Sequence, residues 1–194
     1  MSDFDSGTRR LAEALVRAAA WPWRLRVSGL ENAPRTGPLI VAFNHASLLD
    51  GPLVGATLAS ARRPCFLGKK ELFENPVLGA FLKRAGSVPL DRGSADHGAM
   101  RAALAVLERG GSIALSPEGT RVKKGETRAP KPGVSFLASK SGAPVLPARL
   151  VGTGDFPWTA RLEVRYGRPL PPPPEGREAA SSFAKAVMDA IYSL

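Results

Sequence analysis

The sequence predicts a single α/β domain: a mixed, largely parallel sheet flanked by helices, with an amphipathic helix at the N-terminus. Three observations carry that expectation. Short apolar runs with strand character alternate along the chain with longer segments of helical period, the pattern of strand–helix crossover units. The 194 residues are enough for one domain with a sizeable core, and no internal repeat divides them. A hydrophobic fraction of 44% and a charged fraction of 23% are those of an ordinary globular chain.

Taken in order, residues 4–20 predict a helix with Leu11, Ala14, Leu15 and Ala18 as its apolar stripe and Arg9, Arg10 and Arg17 largely off it. Trp21, Trp23, Arg24 and Arg26 follow, broken by Pro22. Tryptophan and arginine beside such a helix suit a membrane interface. The plainer alternative is a terminal helix docked on the core with a solvated basic face. Residues 25–27 read as a short strand, 31–37 as a loop and 38–43 as a buried strand. Residues 52–61 predict a helix opened by Pro52, and 64–68 a strand. Residues 72–85 have helical spacing interrupted at Pro76, and 86–90 form the next strand.

Ser94 is the expected N-cap of a helix running to Arg109 and stopped by Gly110-Gly111. Strand 112–116, a basic loop at 122–132, helix 133–141 and strands 145–151 and 162–166 complete the alternation. Pro171 to Pro174 predict a stiff spacer. A final helix carries Phe183, Val187, Ala190 and Ile191 on one side. The organisation is therefore an interfacial segment at 1–30, a domain at 31–170, and a spacer with a packing helix at 171–194.

Charge narrows the partners. Lys and Arg number 27 against 17 Asp and Glu, a formal charge of +10, which suits nucleic acid, anionic headgroups or phosphorylated substrates. The single cysteine, Cys65, excludes an internal disulfide framework and, in an apolar strand, reads as buried and inert. Two histidines and one cysteine are too few for a typical zinc site, so no metal is expected. No apolar run reaches the length of a membrane span and no signal-peptide pattern opens the chain. The aromatics are not interleaved with the basic residues as a stacking platform for nucleic acid requires.

The chemistry concentrates at Asn44-His45-Ala46-Ser47-Leu48-Leu49-Asp50, directly after the buried strand. Strand ends are where α/β domains place their sites. On a regular helix, five residues turn ~500°, leaving His45 and Asp50 ~140° apart. They meet only if His45 lies on the strand-to-helix turn and Asp50 at or before the first helical turn. The alternatives are a capping role for Asp50 and a turn histidine satisfied by a backbone carbonyl. Two further strands end in charge, at Asp91-Arg92 and at Glu118-Gly119-Thr120-Arg121. Parallel strands present their ends along one edge, so Arg92 and Arg121 can converge near His45, and paired guanidinium forks suit a phosphate. His97, in a predicted helix, reads as a surface residue.

These blocks resemble a known family. Asn44-His45-x4-Asp50 resembles the His-x4-Asp signature of the glycerophospholipid acyltransferases, the group that contains 1-acylglycerol-3-phosphate acyltransferase. Residues 86–92 resemble the second family block and 117–121 the third; the arginine of each is assigned to the acceptor's phosphate. Residues 143–147 resemble the proline-containing fourth block, and Lys131-x-Gly133 the lysine–glycine pair between the third and fourth. The resemblance runs from about Pro38 to about Gly154. Ser116 and Val122 stand where the third block usually has an aromatic and a serine, and Pro89 interrupts the second.

The resemblance implies that His45 is the general base, oriented by Asp50, for attack of an acceptor hydroxyl on the thioester of acyl-CoA or an acyl carrier protein. It further implies that Arg92 and Arg121 clamp a glycerol phosphate, that Glu118, Gly119 and Thr120 shape its pocket, and that Lys69 adds a contact. A lysophosphatidic acid-type acceptor, an anionic membrane surface on the cytoplasmic side and no cofactor beyond the acyl donor follow as expectations. Another lysolipid or an amino-acid-derived lipid is the alternative acceptor. A basic nucleic-acid-binding domain or a non-catalytic lipid-binding module remains as a rival of another class.

Overall fold

The architecture follows from the two-residue alternation of one strand. In the computed structural model, residues 39–43 form β2 (Leu39–Phe43), which is buried along its whole length. Leu39, Val41 and Phe43 enter one apolar cluster and Ile40 and Ala42 the other, because successive side chains of a strand point to opposite faces. A strand buried on both faces must have helices on both, and a continuous apolar run is its signature.

The structure describes residues 6–20, 23–84, 87–91, 96–123, 125–158 and 161–194. The remaining elements are α1 (Ser6–Ala20), β1 (Arg26–Ser28), α2 (Asp50–Leu58), β3 (Cys65–Lys69), α3 (Pro76–Arg84), β4 (Val88–Leu90) and α4 (His97–Glu108). They continue with β5 (Ser112–Leu115), α5 (Gly133–Ser141), β6 (Val145–Val151), β7 (Glu163–Tyr166) and α6 (Arg177–Tyr192). One sheet of seven strands runs in the order β1-β7-β6-β2-β5-β3-β4. β2 pairs in parallel with β5 and β6, β5 with β3, and β3 with β4. β7 is antiparallel to β6 and carries β1 parallel to itself at the sheet's edge. The domain is therefore the predicted mixed, largely parallel sheet.

One face packs against Leu53, Val54 and Leu58 of α2. The other packs against Ala103 and Leu107 of α4, Val134, Leu137 and Ala138 of α5, and Ala184, Val187 and Ile191 of α6. Because β2 through β6 run the same way, their carboxyl ends share one edge. Pro89 sits exposed in β4, the opposite outer strand, where a missing N–H costs the sheet little.

Some boundaries differ from expectation. α2 begins at Asp50 rather than Pro52. The predicted cap Ser94 lies outside the described residues; the described helix α4 starts at His97, and the Asp96 side chain accepts from the Ala99 N–H at 2.9 Å. His97 is exposed, as expected, whereas Cys65 is half-buried rather than enclosed. Of the two expectations for α1, docking of its apolar stripe on the core is not what the structure has: Leu11, Ala14, Leu15 and Ala18 are exposed. The helix rests on α2 instead. Val16 packs on the core, and Arg63 grips Glu13 through two hydrogen bonds of 2.8 and 3.0 Å. No described helix is long and apolar enough to cross a membrane.

Candidate active site

β2 ends at Phe43, and the next residue closes the strand. The buried Asn44 side chain accepts the Leu150 N–H at 2.7 Å and donates to the Leu150 carbonyl at 3.1 Å. Its amide thereby copies one more rung of the β2–β6 ladder. The chain then turns sharply toward α2, and that turn carries His45.

Asp50 is the first residue of α2 and fully buried. One oxygen, Oδ2, receives three partners: His45 Nδ1 at 2.9 Å, the Ala46 N–H at 2.7 Å and the Ser47 N–H at 2.7 Å. The pair straddles the strand–helix turn, the one arrangement that helical geometry left open. A carboxylate can only accept, so the proton belongs on Nδ1 and the lone pair on Nε2. The histidine side chain keeps 16% of its surface exposed, and the residue lines a cavity of about 600 Å³. The capping role that competed with the chemical one is not the one seen: α2 has no side-chain cap at Leu49, and the same Asp50 oxygen orders the turn before the helix and the ring.

The backbone of His45 is held from the third block. Its N–H donates to Glu118 Oε2 at 2.5 Å, and its carbonyl accepts the Val122 N–H at 2.7 Å. Glu118 is 2% exposed, so it is a buried brace for the histidine rather than an open pocket wall. Ser116, where an aromatic was the familiar choice, donates to Glu118 Oε2 at 3.3 Å. Gly119 has φ +70, a left-handed conformation that favours glycine. The Lys131 stem lies across it, 2.6 Å from where a Cβ would sit. Thr120 is half-buried and Arg121 exposed in the same turn.

The expected phosphate clamp is only partly on view. Arg121 stands next to Val122, whose N–H holds His45. Arg92 lies outside the described residues. Lys69 ends β3, two strands from β2 along the carboxyl edge, ~10 Å across at usual strand spacing. Its Nζ is paired with Glu71 at 3.0 Å, and it does not line the cavity beside His45. Other cations do: Lys123, Arg149, Arg161 and Arg165. Hydrogen bonds from Arg165, then the nearby charges of Arg165 and Arg161, hold the Glu163 carboxyl below its usual range.

Sequence reasoning missed Arg149, Thr153 and Tyr192, all of which line this cavity. Residues 152–158 pass over the histidine turn, with Gly154 so close that an added Cβ would meet Ala46 at 3.3 Å. Arg149 and Thr153 arrive through the place of β6 beside β2 and Tyr192 from the end of α6, so no local signal could have named them.

Known proteins are similar to this chain. A 1-acyl-sn-glycerol-3-phosphate acyltransferase of Brassica napus chloroplasts is 33% identical over 135 residues, covering 68% of this chain. This chain in turn spans 38% of that protein's length. A lyso-ornithine lipid O-acyltransferase of Pseudomonas aeruginosa is 34% identical over 133 residues, 68% of this chain and 49% of its own. The crystal structure of the 1-acyl-sn-glycerophosphate acyltransferase PlsC of Thermotoga maritima superposes with a TM-score of 0.76 at 27% identity, covering 100% of this chain and 82% of its own. A family model described as Acyltransferase matches residues 24–151, which take in His45, Asp50, the third block and the Asn44-bonded strand β6. By that match, on a sheet whose carboxyl edge holds the His-x4-Asp pair, the chain belongs to the Acyltransferase family.

Proposed function

We propose that the protein is an O-acyltransferase that moves a fatty acyl group from acyl-CoA or an acyl carrier protein to the free hydroxyl of a lysophosphatidic acid-type acceptor, giving phosphatidic acid. The observation that carries this reading is the His45–Asp50 pair, with Nδ1 occupied by a buried carboxylate and the ring bordering a cavity. The acceptor hydroxyl gives its proton to Nε2 as its oxygen bonds to the thioester carbonyl carbon. Asp50 stabilises the imidazolium so formed, as a triad carboxylate does. When the tetrahedral intermediate collapses, the carbon–sulfur bond breaks and the departing thiolate takes the proton. No cofactor is required beyond the acyl donor. General-base catalysis contributes ~10²–10⁴ in rate, and positioning must supply much of the rest.

A donor and acceptor matrix tests the proposal. Purified protein should acylate lysophosphatidic acid, and His45→Ala should lower kcat by ~10²–10⁴. Normal turnover in that variant ends the general-base assignment. One other acceptor has a specific observation in its favour: the relative from Pseudomonas aeruginosa is named for a lyso-ornithine lipid. Transfer to that acceptor alone would select it.

The lipid partner also gives the exposed stripe of α1 a purpose. Leu11 and Leu15 are 62% and 60% exposed, and Trp158, on the loop that crosses the histidine turn, is 91% exposed. Trp23 braces that loop, donating from Nε1 to the Pro157 carbonyl at 2.7 Å. With Arg10, Arg24 and Arg26 also exposed, these side chains fit an anionic bilayer surface, the protein lying peripherally on its cytoplasmic face. Replacing both Leu11 and Leu15 by Asp should remove about 2 kcal/mol of apolar insertion, ~30-fold in partitioning to anionic vesicles, at unchanged Tm. Equal vesicle binding by the variant would dismiss α1 as the contact.

A further inference from the structure

The network around His45 has one member from the far end of the chain. Tyr192 closes α6, and its hydroxyl donates to Glu118 Oε1 at 2.5 Å. The other oxygen of the same carboxylate accepts the His45 N–H at 2.5 Å. Glu118 is almost wholly buried, so a donor lost there is costly. The end of α6 is itself fixed. Arg149 stacks its guanidinium 4.1 Å from the centre of the Tyr192 ring, and Arg165 Nη1 donates to the Leu194 carbonyl at 2.7 Å. Burial, then the bond to Glu118, push the Tyr192 pKa up to about 12, which keeps the hydroxyl a donor throughout the neutral range.

We propose that Tyr192 is a positioning residue for acyl transfer: through Glu118 it fixes the backbone of His45 and thereby the direction in which Nε2 meets the acceptor hydroxyl. The proposal rests on the acyltransferase reading. Asp50 sets the rotation of the imidazole, but a ring can be no better placed than the Cα that carries it. That Cα is tied on its carbonyl side by Val122 and on its amide side by Glu118. Removing the phenol releases one arm of the carboxylate, and the amide tether loosens. Displacements of about 1 Å in a reacting pair cost up to ~100-fold in rate.

Tyr192→Phe separates this role from packing, since it keeps the ring beneath Arg149 and deletes only the hydroxyl. The expected result is a kcat about tenfold lower, with KM for donor and acceptor unchanged and Tm lower by a few degrees for the carboxylate oxygen left unpaired. In the amide NMR spectrum, the His45 proton should move upfield as its bond to Glu118 weakens. Combined with Glu118→Gln, Tyr192→Phe should add no further loss, because both act through one carboxylate. Wild-type kcat, a loss that appears as higher KM, additive losses, or an unmoved His45 amide would each overturn the proposal. If wild-type protein transfers acyl groups to no acceptor, it is the proposed function that fails. The His45 amide shift still decides whether Tyr192 acts on the histidine.

Discussion

The two ends of α2 carry matching devices with different uses. At its start, Asp50 gathers His45 Nδ1 and two backbone N–H groups onto one oxygen. Past its end, Arg62 sends Nη1 to the Gly37 carbonyl and Nη2 to the Gly110 carbonyl, both at 2.8 Å, with Pro34 at 3.4 Å. Each is a charged side chain that organises backbone from separate segments. Gly37 precedes β2 and Gly110 precedes β5, so Arg62 ties down the amino edge of the sheet, and burial lowers its pKa. A charged side chain that gathers backbone groups is therefore not in itself a mark of chemistry. What distinguishes Asp50 is the histidine among its partners and the cavity beyond it.

Substitution at the two positions should divide along that line. Asp50→Asn retains an acceptor for the turn but cannot hold the imidazolium, so kcat should fall on the order of 10³ with a modest change in Tm. Activity assays beside thermal melts check this, and a variant that melts early yet turns over normally would invert the assignment. Arg62→Ala strands carbonyls that the guanidinium satisfied and should cost about 2 kcal/mol in denaturant unfolding, with kcat of the folded fraction near wild type. Arg62→Lys should fall between, at about 1 kcal/mol, since an ammonium lacks the planar fork. Equal stability of all three proteins would remove Arg62 from any structural role.

How much of this was legible in the sequence depended on range. β2, α5 and β6 could be placed because each has a dense local pattern: an apolar run, or helical spacing ended by glycine. The His45–Asp50 geometry was legible for the same reason, as five residues of chain leave few ways for two side chains to meet. Glu118 could be placed in the site, but its task could not, because burial and the pairing with His45 and Tyr192 span 73 and 74 residues. Arg149 and Thr153 were invisible because they reach the cavity only through the β2–β6 pairing. Periodicity marked Leu11, Ala14, Leu15 and Ala18 as one apolar stripe and left two surroundings open for it, and the structure leaves all four exposed. A hydrophobic pattern reports that a face avoids water, and says nothing about whether protein or another phase covers it.

The crowding of three donors onto Asp50 Oδ2 closes position 50 to a common route of protein engineering. Helix starts are usually open to redesign, with Ser, Thr, Asp and Asn traded for thermal tolerance. Here the oxygen that orders the turn into α2 is also the one that orients the imidazole. Any replacement chosen to firm the helix is at the same time a change of reagent. Gains in robustness for this protein must be sought elsewhere along the chain, with the amino edge around Arg62 the natural place to begin.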